Sequence, residues 1–144
     1  MATSGNAHPR YAPHELIAAF AIGCMIGGLL TDIAYWKSAE FIWADFSTWL
    51  VSAAVVAAIL AGVVALIDHL IFRSRRSGPR PLNVAAGIVV LVLLIFNMMI
   101  HSRDAWTSVV PWGLTLSAVT VLVVLLTGLW RIVELRRTDR EIEP

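Results

Sequence analysis

The chain has 144 residues, 58% of them apolar and only 15% charged, with a mean hydropathy of +0.77. So few charges cannot cover the wet surface of a domain this small, which excludes an ordinary soluble globule. The net charge of +1 gives no basic excess of the kind nucleic acid requires, yet the charges are sharply segregated along the chain.

The first apolar segment, Leu16–Trp36, is longer than the about 7–15 residue core of a secretory signal and ends in Thr31-Asp32-Ile33-Ala34-Tyr35-Trp36. It reads as a mature membrane helix that meets an interface. Three more apolar runs follow: Trp49–Phe72, Leu82–Ile100 and Trp112–Trp130. About 20 helical residues cross a bilayer core of about 30 Å, so each run is long enough. Pro13 and Pro81 suit the first turns of helices one and three, where a missing N–H costs nothing. Pro111 suits the first turn of helix four, or a kink if that helix begins near Ala105. The runs are continuous and do not alternate, which argues against a β-barrel. The expected fold is all-α, an integral membrane four-helix bundle with antiparallel up-down-up-down order. Residues 1–13 form an N-terminal cytoplasmic tail, 14–133 the transmembrane domain and 134–144 a C-terminal cytoplasmic tail.

Charge sets the direction. Arg73, Arg75, Arg76 and Arg80 lie between helices two and three, Arg131, Arg136, Arg137 and Arg140 in the tail, and Arg10 ahead of helix one. Only Lys37 and Arg103 fall on the other side. The positive-inside rule then places both termini in the cytoplasm. Trp36, Trp43, Trp49, Trp106 and Trp112 would gather at the outer interface, with Trp130 at the inner one.

Small and polar residues recur at steps of three and four, which keeps them on one helical face. The stripes are His14, Ala18, Ala21, Met25, Gly28 and Asp32 in helix one, and Ala54, Ala58, Ala61, Ala65 and Asp68 in helix two. Ala58, Gly62, Ala65 and His69 form an overlapping stripe. Helix three carries Asn83, Gly87, Val90, Leu94, Asn97 and His101, and helix four Gly113, Ser117, Thr120, Val124, Thr127 and Arg131. Lipid offers polar groups no partners, and small residues let helices approach, so both criteria turn these faces inward. An interior polar network of Asp32, Asp68, Asn83, Asn97, His101 and Arg103 follows, with Asp32 and Arg103 as its natural ion pair. Cys24 reads as a buried structural thiol. Gly23 and Gly27 form a Gly-xxx-Gly pair that serves either a homodimer or packing within the bundle.

His14, Phe20, Ile22, Gly23 and Asp32 stand at a spacing that resembles the family called domain of unknown function 2231, bacterial four-helix membrane proteins. That family opens on His-Pro, a short apolar stretch, Phe-Pro-Ile-Gly and an aspartate nine residues on. Here Phe20-Ala21-Ile22-Gly23 takes the third element and His8-Pro9 the first. Gly62 through Asp68 resembles the second glycine-to-aspartate element, and Asn83 and Arg103 fall where the family tends to carry these residues. The likeness runs from His8 to Arg103. It departs at Glu15, which stands after His14 in place of proline, and at Pro79, where the family often has histidine. It implies the four-helix membrane topology and leaves activity open.

Three functional readings stand. In the first, a redox-associated subunit holds one b-type haem between helices one and two. His14 begins helix one and His69 ends helix two, so a hairpin brings both imidazoles to one depth as iron ligands. Ala18 and Ala65 leave room there, and Arg73, Arg75 or Arg80 would meet the propionates. In the second, the chain is a membrane anchor or assembly subunit without a cofactor, whose partners are the lipid bilayer and a redox partner subunit or a second copy. In the third it is a small dimeric transporter, though the midplane offers only Met25, Gly27, Gly28, Val90, Leu91 and Thr120 and no charge. No Gly-x-Ser-x-Gly or phosphate-binding glycine loop marks a known enzyme class.

Overall fold

The computed structural model describes residues 13–72, 81–103 and 109–142. His8-Pro9 in the N-terminal tail, the arginine loop with Pro79, and Asp104 and Trp106 lie outside the described residues. Four α-helices follow one another: α1 Pro13–Ser38, α2 Phe41–Phe72, α3 Pro81–His101 and α4 Leu114–Ile142. Among the described residues there is no strand. Pro13–Ser38, Phe41–Ile71, Leu82–His101 and Val109–Val133 are each long and apolar enough to cross a membrane. The four predicted spans are therefore all present.

Local chemistry explains where the helices begin and end. Pro13 and Pro81 open α1 and α3, where their fixed φ suits the first turn. Glu15 in the first turn of α1 and Lys37 in its last complement the helix dipole. Ala39 then adopts φ 55° and its N–H donates to Tyr35 O at 2.8 Å, a left-handed stop usually given to glycine. The Ser38 hydroxyl donates to Ala34 O at 2.8 Å and accepts the Glu40 N–H at 3.3 Å. Only Ala39 and Glu40 separate α1 from α2. Helix α2 is longer than the sequence reading, beginning at Phe41 rather than Trp49. Ahead of α4, a short π-helical turn spans Val109–Gly113, in which Val110 is extended at φ −120°, ψ 128°. Proline at 111 disfavours helical backbone on the residue before it, so α4 starts after the break.

The tight link makes α1 and α2 a close hairpin. Asp32 meets Ser47, and Gly28 meets Val51 one turn away in opposite senses, so these two helices run antiparallel. A Cβ on Gly28 would stand 3.2 Å from Val51 Cγ2, and one on Gly27 3.3 Å from Leu50 Cδ1. Gly27 thus serves packing within the chain, while Gly23 has open space beside it. Cys24, Met25, Ala54, Val55 and Leu94 form the apolar centre, with Val90, Val121 and Val124 against it. Cys24 is a buried free thiol.

The core is one-ended. In α3 the buried residues are Leu94, Asn97 and His101, and no described residue before Leu94 is buried. In α4 they are Ser117 and Thr120, and none after Thr120 is buried among the described ones. Asn83 and Gly87 lie on the face of Leu94 and Asn97, whole turns earlier, yet both are exposed. The bundle is packed toward the C-terminal end of α3 and open toward its N-terminal end.

Ala39→Gly removes the Cβ strain of the left-handed position and is expected to stabilise the protein by about 1 kcal/mol. A raised thermal midpoint in detergent would show it.

Candidate functional site

At the packed end, one carboxylate collects donors from all the other helices. Asp32 lies about two turns from the end of α1 and is 0% exposed. The Ser47 hydroxyl of α2 donates to its Oδ1, and lies 3.5 Å from Gly28 O. His101, the last residue of α3, brings Nε2 to the same Oδ1 at 2.9 Å. The Ser117 hydroxyl of α4 donates to Oδ2 at 2.6 Å. Ser117 in turn accepts the Asn97 Nδ2–H at 2.9 Å. The other ring nitrogen of His101, Nδ1, sits 3.0 Å from the Asn97 carbonyl one turn back on α3. The Thr48 hydroxyl reaches the His101 carbonyl at 3.5 Å.

Helical spacing explains why these side chains meet. Asn97 and His101 are four apart and share a face of α3. Asp32 follows Gly28 by four on α1, and Gly28 lets the backbones of α1 and α2 close together at that level. Asn97 and His101 are 2% and 4% exposed, so the whole cluster is cut off from solvent. One atom within it is left over: Asn97 Oδ1 is buried with no hydrogen-bond partner. Hydroxyls elsewhere in the spans look after themselves. Thr31 donates to Gly27 and Gly28 carbonyls, Thr120 to Leu116 O and Thr127 to Val123 and Val124 carbonyls. Such back-bonding is how a lone hydroxyl is satisfied without water.

The six residues expected to form one interior network separate. Asp32, Asn97 and His101 come together. Arg103 is exposed just past α3, and the buried carboxylate pairs with His101 in place of the expected Arg103. Asp68 is half-buried near the far end of α2, and Asn83 is exposed near the start of α3. His14 and His69 are both half-buried toward the open end. His14 Nδ1 is itself buried with no hydrogen-bond partner. Extending the Asp32–Ser47 antiparallel match puts His14 within about one turn of the height of His69. Arg131 and Glu15 stand 3.5 Å apart on exposed faces of α4 and α1 at that end.

Two first-rank donors escaped the sequence reading. Ser47 falls outside a helix two that starts at Trp49, and inside the observed α2, which starts at Phe41. Extending the alanine stripe backward by threes and fours, from Ala54 through Val51 to Ser47 and Ala44, would have found it, since all four are buried. Ser117 stood on the helix-four stripe but was not singled out.

Chemically the cluster is a buried carboxylate–imidazole pair with its oxygens fully engaged. Both serine hydroxyls donate to Asp32, which differs from a nucleophile activated by histidine. Among the described residues no three His, Cys, Asp or Glu side chains gather to hold a metal ion. A shallow apolar groove of about 420 Å³ runs on the outer face of the hairpin between Ile17, Phe20, Trp49, Val56 and Leu60, apart from this cluster and from both histidines of the open end.

The family described as "Predicted membrane protein (DUF2231)" matches residues 11–130. No curated protein and no solved structure shows significant similarity to the chain.

Asp32→Ala strips His101, Ser47 and Ser117 of their common acceptor and should cost about 3–5 kcal/mol, the loss typical of one partner of a buried pair. Arg103→Ala should leave the thermal midpoint in detergent unchanged. Equal effects of the two substitutions would contradict the arrangement.

Proposed function

This chain belongs to the DUF2231 family of predicted membrane proteins, and we propose that it is an assembly subunit of a bacterial inner membrane, tied at one end and receiving another transmembrane chain at the other. The arginines between α2 and α3 and those of the C-terminal tail favour cytoplasmic termini, an up-down-up-down order and an open end on the cytoplasmic side. One observation carries the reading. Gly87 lies two turns from Leu94, which is 1% exposed, yet a Cβ on Gly87 would meet nothing within 4 Å. Gly62 on α2 and Gly128 on α4 are equally open. Small residues on a membrane helix permit close helix contact, and here none of the described residues supplies it. Asn83, exposed on the same face, adds an amide that lipid tails cannot satisfy.

Crosslinking in native membranes followed by mass measurement tests this. The expected product is heavier than the 15.8 kDa chain, and Gly87→Leu should reduce its yield about tenfold. A product that stays at monomer mass, or one indifferent to Gly87→Leu, would overturn the reading.

A second reading is favoured by the unpartnered His14 Nδ1. With a bare imidazole nitrogen close in height to His69 on the neighbouring helix, His14 together with His69 would hold the iron of one b-type haem. Bound there, haem would make the subunit a one-electron carrier. The visible spectrum of protein expressed with ample haem should then show a Soret band that His14→Ala with His69→Ala abolishes. A colourless wild type rules haem out while leaving the assembly reading intact.

A further inference from the structure

We propose that the Asp32–His101 pair is a proton-binding site, loaded from the aqueous phase beyond the C-terminal end of α3, whose occupancy decides whether α3 stays tied to α1. It concerns the packed end of the bundle and does not depend on what occupies the open end.

The proton count follows from the partners. His101 Nδ1 faces a backbone carbonyl, which only accepts, so Nδ1 carries a hydrogen. Nε2 faces Asp32 Oδ1 at 2.9 Å, so a second proton lies between ring and carboxylate. Whether it rests on nitrogen or on oxygen, the pair is neutral overall. Ser47 and Ser117 only donate to the carboxylate, and neither supplies that proton.

Release is a simple transfer. The N–H or O–H bond breaks, the proton passes to water, its electron pair stays behind, and the charge of the pair falls from zero to −1. Two lone pairs then face each other at 2.9 Å inside a site from which solvent is excluded. An uncompensated buried charge is costly, so the contact between α1 and α3 opens. The Thr48 contact to the His101 carbonyl goes with it.

The surroundings isolate this titration. Lys37 on α1, Glu40 in the link, Asp45 on α2 and Arg103 after α3 are all exposed. Helix α4 presents Ser117 and Thr120, with no ionisable side chain before Arg131. Tyr35, three residues after Asp32 on α1, is half-buried, and among the described residues Asp32 and His101 are the fully buried titratable groups of this end. Access is short, because His101 closes α3 and the exposed Ser102 and Arg103 follow it. The unpartnered Asn97 Oδ1 offers an arriving water an acceptor beside the relay of Asn97, Ser117 and Asp32.

The full chain, labelled with ¹⁵N-histidine in phospholipid nanodiscs, gives the test. At mildly acid pH both ring nitrogens of His101 should share in hydrogen bonds with two protons present. Raising the pH should remove the proton facing Asp32 in one step. Amide exchange at residues 101–103, corrected for base catalysis, should accelerate about tenfold or more over the same step. His101→Gln, which keeps a donor but cannot titrate, should abolish that acceleration. The proposal is overturned if His101 keeps only its Nδ1 proton throughout with the Asp32 contact intact. It is equally overturned if His101→Gln exchanges with the wild-type pH profile. Should the variant fail to fold, the wild-type nitrogen signals decide alone.

Discussion

Lipid offers Asp32 no hydrogen-bond donor, so every donor its carboxylate accepts must come from the chain itself. On insertion scales a lone carboxylate costs about 2.5–3.5 kcal/mol at a helix centre and less toward the ends, and even part of that is a large fraction of what a small fold has to spare. Here Ser47, His101 and Ser117 supply the donors, one from each remaining helix. The position of α3 and α4 relative to the α1–α2 hairpin follows from that need. Apolar packing alone could not specify it, since in a bilayer helix and lipid are nearly equivalent neighbours for a leucine.

The same physics explains why order fades along the bundle. Beyond Leu94 on α3 and Thr120 on α4, the faces turned toward the axis are mostly small or apolar, and among the described residues neither Asn83 nor Thr127 on them is buried. Threonines along the way bond to their own helix and ask nothing of a neighbour. The result is a molecule with directional strength. One end is held by hydrogen bonds that cross between helices; at the other, α1 and α4 are joined by an exposed Glu15–Arg131 pair of the kind that contributes little.

Much of this was legible from residue order. Twenty-residue apolar runs give the four helices, and small and polar steps of three and four give the inward faces near Asp32. Asn97 and His101 were recognisable as a pair because four residues make one turn. The choice of partner for Asp32 was not. Formal charge favoured Arg103, but a guanidinium beyond the helix end can reach water, whereas His101 is still within α3 and faces inward. Ser47 was hidden by its neighbours, because Phe41-Ile42-Trp43-Ala44-Asp45-Phe46 looks like an interfacial loop until helix α2 is seen to run through it. The inward stripe of α3 also promised more than it delivered at Asn83 and Gly87. Periodicity tells which way a side chain points and not whether another helix stands there.

The two-residue link of Ala39 and Glu40 has a consequence for biogenesis. Asp32 leaves the ribosome 15 residues ahead of Ser47 but 69 ahead of His101 and 85 ahead of Ser117. A sharp reversal lets the first two segments enter the bilayer as one unit, with the serine already shielding the acid. The nascent chain thus carries a half-satisfied carboxyl group through the insertion machinery until its later helices emerge to complete the shell.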